Sequence, residues 1–186
     1  NALEKAIDLP GDEKRSRSII VLTDGYITAE SEVFALIENN LNTANVFSFG
    51  MGSSVNRYLI EGLAKAGQGE PFVVTDPRQA PEAARRFREY IEAPLLTGIS
   101  VSYDGFSAYD LEPRFIPDLF AKRPLVVFGK WQGSAAGHIR VQGITGRGDY
   151  ERIFDVSDTR PATLNRPLSY LWARSRVARL SDYNAK

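Results

Sequence analysis

Apolar residues along this chain follow two successive rhythms. Over the first 94 residues, short unbroken apolar runs alternate with stretches of helical period. Residues 3–9 read as the end of a helix closed by Leu9-Pro10-Gly11, and Asp12 to Arg17 as a charged loop. Ser18-Ile19-Ile20-Val21-Leu22-Thr23 is apolar and β-branched without alternation. That is the pattern of a strand buried on both faces of a parallel sheet, and Asp24-Gly25 ends it abruptly. Val33, Phe34, Ile37 and Leu41 share one face of a helix expected over 30–41. Asn45 to Phe49 is the next strand, with Gly50-Met51-Gly52 as its turn. Ser54 is the expected N-cap of a helix through Ala66 that buries Val55, Leu59 and Leu63, and Gly67-Gln68-Gly69 stops it. Pro71 to Val74 forms a third strand. Thr75-Asp76-Pro77 turns into a helix reaching about Ala93, with Ala84, Phe87 and Ile91 as its apolar stripe. Such alternation predicts right-handed crossovers and a parallel sheet covered on both faces. Three buried strands are few for that architecture, so the set reads as partial.

After Pro94 the period shortens to two. Ile99, Val101 and Tyr103 alternate with Ser100 and Ser102, the mark of a half-buried strand. Pro124 to Trp131, His138 to Thr145 and Tyr150 to Val156 are further strand candidates. Residues 131–137 and Gly146-Arg147-Gly148-Asp149 separate them as turns, which predicts an antiparallel meander. An arginine-rich helix over about 166–180 closes the chain. The expected fold class is therefore α/β followed by β. A partial doubly wound parallel sheet occupies 1–94, a β-rich segment 95–160, and a C-terminal helix packing on the body 161–186.

Composition narrows the chemistry. The 186 residues carry 43% hydrophobic and 25% charged side chains, the balance of a globular protein. Lysine plus arginine, 23, equals aspartate plus glutamate, 23, so no net field draws the chain to nucleic acid or an anionic membrane. With no cysteine, disulfides, thiolate metal sites and cysteine nucleophiles are excluded. No apolar run approaches the roughly 18–20 residues that cross a bilayer. Asn1-Ala2-Leu3-Glu4-Lys5 leads into an amphipathic helix rather than a signal peptide, so the sequence reads as a piece of a longer protein.

The buried strand Ile19 to Thr23, ended by Asp24-Gly25 and followed by a helix, resembles the fourth strand of von Willebrand factor A domains. Val46-Phe47-Ser48-Phe49-Gly50-Met51-Gly52 looks like the next strand and its glycine turn. Ala93-Pro94-Leu95-Leu96-Thr97 and Leu171-Trp172-Ala173 resemble the stretch after that domain in inter-α-trypsin inhibitor heavy chains. The specific likeness is to their bacterial relatives, and it runs over nearly the whole chain. The resemblance implies a metal-ion-dependent adhesion site at the carboxyl ends of the strands, where open α/β sheets bind ligands. In the family three loops hold a divalent cation through an Asp-x-Ser-x-Ser, a threonine and an aspartate. Such hard oxygen ligands suit Mg²⁺ or Mn²⁺. Only the third loop maps here, on Asp24. The other two would lie upstream of Asn1, so no metal or cofactor is expected on this piece by itself. Gly25, Tyr26, Ser53 and Ser54 are the candidate partner-binding neighbours.

Other motifs carry ordinary readings. Asp24 in isolation could simply end a strand and turn the chain with Gly25. Asp155-Val156-Ser157-Asp158-Thr159 mimics the family's first loop but stands in the wrong order and reads as a turn. Arg147-Gly148-Asp149 reads as turn chemistry between strands rather than an adhesion tripeptide. Gly50 to Ser54 lacks the lysine of a phosphate loop. His138, the sole histidine, reads as a solvated strand residue, and the arginines of the last helix as a solvated face with Trp172 on the body.

The expected function is a non-enzymatic adhesion or protein-interaction module that captures a protein or matrix ligand through a carboxylate. The resemblance implies a cell-surface, periplasmic or secreted setting. Two rivals stand beside it. One is an assembly segment that dimerises through an exposed strand edge or an N-terminal swap. The weaker one is a metal-dependent hydrolase, which the single histidine disfavours.

Overall fold

The structure, a computed structural model, describes residues 2–11, 15–24, 30–92, 94–159 and 162–184. A short first helix, α1 (Ala2–Ile7), precedes β1 (Ser18–Thr23), α2 (Glu30–Asn39), β2 (Asn45–Met51), α3 (Arg57–Ala66), β3 (Pro71–Val74) and α4 (Ala80–Ile91). β1, β2 and β3 form a parallel sheet in that order, with Ile19 opposite Val46 and Phe49 opposite Phe72. The two faces bury different side chains because successive residues of a strand point to opposite sides. On one face Val46 meets Val33, Phe34 and Ile37 of α2 and Leu59, Ile60 and Leu63 of α3. On the other, Phe47 and Phe72 meet Phe87 and Tyr90 of α4. Phe47 and Phe87 pack edge-on at 5.3 Å, while Phe49 and Phe72 stack at 4.8 Å. Each fully buried side chain of this kind contributes roughly 1.5–3 kcal/mol.

β1 departs from the two-sided burial expected of it. Ile19 and Val21 pack against the α2/α3 cluster, but Ile20 is 43% and Leu22 62% exposed. The cause is lateral: the aromatic layer under α4 covers β2 and β3 and stops short of β1. Among the described residues β1 pairs with β2 alone. The capping of α3 also differs. Asn56, not Ser54, accepts the Leu59 amide at 3.1 Å, so the helix starts two residues later than expected. Gly67 caps the end of α3 with φ −74°, and the position needs glycine for a steric reason: a Cβ there would sit 2.3 Å from the Val46 carbonyl oxygen. α2 ends at Asn39 and α4 at Ile91, short of the expected 41 and 93. A 3₁₀ turn over Pro77–Gln79 leads into α4, and α1 ends at Ile7 rather than residue 9.

From Pro94 onward the chain is antiparallel. β4 (Pro94–Asp104), β5 (Ser107–Glu112), β6 (Leu119–Phe120), β7 (Phe128–Gln132), β8 (His138–Thr145) and β9 (Gly148–Asp155) build two sheets. One has the order β6-β4-β8-β9 and the other pairs β5 with β7. The simple meander expected from the sequence is thus confined to the β8–β9 hairpin, because β5 and β7 leave the larger sheet to pair with each other. β5 and β6 had no counterpart among the expected strands, and the strand expected from Pro124 begins only at Phe128. Gly137, with φ +106°, lies against β4's end, where a Cβ would come within 2.4 Å of the Asp104 carbonyl oxygen.

Two polar clusters join the parts. Asn45, at the amino end of β2, donates through Nδ2 to Asp118 Oδ2 at 2.8 Å and accepts the Asp118 amide at 3.2 Å. Ser16 Oγ donates to the same carboxylate at 2.6 Å. Arg123, 4% exposed, donates to Gln68 O at 2.6 Å, to Gly67 O, and to Asn45 Oδ1 at 3.2 Å. The last helix, α5 (Pro167–Asn184), lies over β5 and β7 and touches α2. Its Arg176 and Arg179 grip Glu112 at 2.6 and 2.8 Å, so these two arginines are not the solvated face expected of them. Trp172 donates to the Asp110 carbonyl at 2.8 Å, and the Lys130 ammonium sits 3.9 Å over its ring.

Candidate functional site

The polar clusters at Asn45 and Arg123 lie at the amino ends of the parallel strands. The β-rich segment therefore attaches at one end of the sheet, and among the described residues it leaves the other, where β1 and β2 end, uncovered. Asp24 follows β1 directly and is exposed. The turn after β2 approaches it, so that a Cβ on Gly52 would lie 3.9 Å from the Cβ of Asp24. Gly52 has φ +118° and donates its amide to Val74 O at 3.0 Å, which ties the turn to the end of β3. Ser53 and Ser54 are exposed in this turn beside Asp24.

The rest of the rim is already engaged. Asn56 caps α3 with its oxygen and donates through Nδ2 to Glu30 Oε1 at 2.9 Å, fastening the β2–α3 loop to the start of α2. Asp76, at the end of β3, accepts the Arg78 amide at 2.9 Å and pairs with its guanidinium. Those hydrogen bonds from Arg78 hold the Asp76 carboxyl below its usual range. Among the described residues the site thus presents the Asp24 carboxylate, with no hydrogen-bond partner, and the two hydroxyls of Ser53 and Ser54. Gly25 and Tyr26, also expected at this edge, lie outside the described residues.

A divalent cation does not fit this set. Mg²⁺ gives up its water shell reluctantly and needs near-octahedral oxygen ligands. Among the described residues no three histidine, aspartate or glutamate side chains gather to hold one.

The remaining candidates resolve into structure. Asp155 accepts the Ser157 amide at 2.8 Å and caps a 3₁₀ turn over Val156–Asp158, the local hydrogen bonding that favours aspartate in turns. Gly146 and Arg147 form the two-residue turn of the β8–β9 hairpin. Gly148 and Asp149 already pair with Thr145 and Ile144, so the turn is shorter than the expected 146–149. His138 stands half-exposed on β8, 3.9 Å from Asp155. No helix among the described residues is long and apolar enough to cross a membrane.

Comparison with known proteins agrees with the α/β fold of the first part of the chain. Residues 1–71 match the family described as von Willebrand factor type A domain. A von Willebrand factor A domain-containing protein of Dictyostelium discoideum is 24% identical over 121 residues, 64% of this chain and 13% of that protein. A second from the same organism is 29% identical over 129 residues, 69% of this chain and 6% of its own length. The mouse protein mono-ADP-ribosyltransferase PARP4 is 27% identical over 119 residues, 61% of this chain and 6% of that protein. The chain thus spans between 6% and 13% of the length of these three relatives. The likeness to the relatives extends beyond residue 71, into the β-rich segment, but covers less than the near-complete span expected from the sequence.

Proposed function

We propose that this chain is part of a protein-interaction module of the von Willebrand factor A type, with its contact face at the carboxyl edge of the parallel sheet. The observation that carries this reading is the one-sided attachment of the β-rich segment. Asn45, Asp118 and Arg123 hold that segment at the amino edge, while Asp24, Ser53 and Ser54 stay exposed at the other. The residues of this chain contribute one acceptor carboxylate and two hydroxyls to the face. In the intact parent, Asp24 would be the third-loop ligand of a Mg²⁺ or Mn²⁺ site completed by two upstream loops. The partner would be a protein or matrix ligand offering a carboxylate. The module is non-enzymatic, belongs to a parent of the inter-α-trypsin heavy-chain kind, and works at the cell surface, in the periplasm or after secretion.

Two measurements test this. Titration calorimetry of the isolated chain with Mg²⁺ or Mn²⁺ is expected to show no stoichiometric binding that Asp24→Ala removes. In the parent protein, Asp24→Ala is expected to abolish divalent-dependent adhesion to its ligand. Adhesion that survives both the substitution and chelation would end the proposal.

A second reading, assembly through the β1 edge, rests on a separate observation. β1 has one neighbour among the described residues, and Ile20 and Leu22 are exposed beside it. An open edge with apolar side chains invites another strand.

A further inference from the structure

A second feature of the molecule lies far from the carboxyl edge. Beneath α5, where it passes the ends of α2 and α3, a half-open cavity of about 370 Å³ lies at the surface. That is within the ordinary range for a small-molecule pocket. Its inner wall is apolar, with Leu41, Phe115, Phe128 and Leu171 among the lining residues. Its charged rim is unbalanced: Lys65, Arg114, Arg174 and Arg179 line it against Glu38 and Glu112. Glu112 is already satisfied by the bonds it accepts from Arg176 and Arg179. Arg114 and Arg174, both exposed, make no hydrogen bond or ion pair among the described residues. An apolar wall beside two uncommitted guanidinium groups is the arrangement that receives a ligand with an apolar body and an anionic head.

The geometry points to a binding site for a medium-chain carboxylate in this cavity, its tail against Leu41, Phe115, Phe128 and Leu171 and its head at Arg114 and Arg174. The rim favours an anion because the guanidinium groups of Arg114 and Arg174 form no ion pair among the described residues. A neutral chain of the same length would gain the apolar contacts but leave the arginines hydrated and unused. A cationic chain would meet repulsion. The site is independent of the adhesion reading, since it shares no residue with Asp24, Ser53 or Ser54.

The test is a calorimetric and NMR titration of the whole chain with decanoate below its micelle concentration, alongside decanol and decyltrimethylammonium. Decanoate is expected to bind one to one, at least tenfold tighter than either analogue. Arg114→Ala and Arg174→Ala are each expected to weaken it by about tenfold, and Ser175→Trp, which fills the cavity from α5, to abolish it. Arg147→Ala, on the distant β8–β9 hairpin, is expected to leave affinity unchanged and controls for general loss of charge. Circular dichroism checks that every variant folds. Should decanol bind as tightly as decanoate, or should affinity be indifferent to both arginines, the assignment fails. Absence of saturable decanoate binding fails it too, whatever becomes of ligand capture at the carboxyl edge.

Discussion

Arg123 shows how much one side chain can decide. Among the described residues it is a buried cation with no carboxylate within ion-pair distance. Instead it donates to two backbone carbonyls beyond the end of α3 and to the Asn45 side chain, with its guanidinium 5.9 Å from the centre of the Phe47 ring. Burial disfavours its charge and pushes its pKa down, against the opposing pull of Tyr90 and Asp118. The cation persists because the C-terminal carbonyls of a helix, which lack donors of their own, favour positive charge. Arg123→Ala would leave the buried Gly67 carbonyl, the part-buried Gln68 carbonyl and the Asn45 oxygen without this donor. Each orphaned group costs roughly 1–3 kcal/mol, so a loss of about 3 kcal/mol is expected in urea unfolding. A loss below about 1 kcal/mol would show that Arg123 is not the joint between the two sheets. Nothing in the local sequence Lys122-Arg123-Pro124 distinguishes this arginine from a solvated one. Its partners at 45, 67 and 68 lie more than fifty residues away.

At the scale of elements, the attachment of α5 depends on Glu112. The carboxylate is 1% exposed, at the end of β5, and two arginines one helical turn apart reach it. Burial raises its pKa, but the hydrogen bonds and charges of Arg179 and Arg176 together outweigh that and leave it below the ordinary 4.5. A group lowered in this way contributes stability that is fully present above its unfolded value. That contribution is lost as the pH falls through the folded value. α5 is therefore expected to loosen on acidification below about pH 4.5. The reporter is Trp172, which the Asp110 carbonyl and Lys130 hold in place. Its fluorescence should change in that range in the natural chain, whereas Glu112→Gln should show the loosened signal already at pH 7. A Glu112→Gln chain with the same acid transition as the parent would exclude this clamp. The arginine spacing at 176 and 179 was visible in the sequence, but β5 was not. Ser107 to Glu112 interleaves polar residues and carries Asp110 at φ +51°, a break in strand geometry that local pattern does not signal.

Across the whole molecule, the two ends of the parallel sheet are divided between joining and exposure. The amino edge is consumed by the β-rich segment, and the carboxyl edge holds the candidate contact face. The flank of the sheet is a second exposed feature. Ile20 and Leu22 stand opposite Phe47 and Phe49 in register, on the face where α4 ends its coverage. If this flank drives self-association, Leu22→Lys should convert dimers to monomers in sedimentation or light scattering. Because Leu22 is mostly exposed, the change should cost little stability, within roughly 0.5 kcal/mol. A chain already monomeric at high concentration would remove the assembly reading.

The sequence by itself determined the order of the parallel strands and their helices and the place where the period changes. Those features rest on local periodicity and on Gly and Pro stops. It also placed Asp24 at the end of β1 and a glycine turn at the end of β2, since both are set by chain order in an α/β unit. Tertiary structure alone decided which face of β1 is covered, how β5 and β7 leave the larger sheet, and which arginines are buried. Each of these depends on contacts between residues distant in sequence. A strand's burial follows from what lies over it, and an arginine's role from which carbonyl or carboxylate the fold brings within reach.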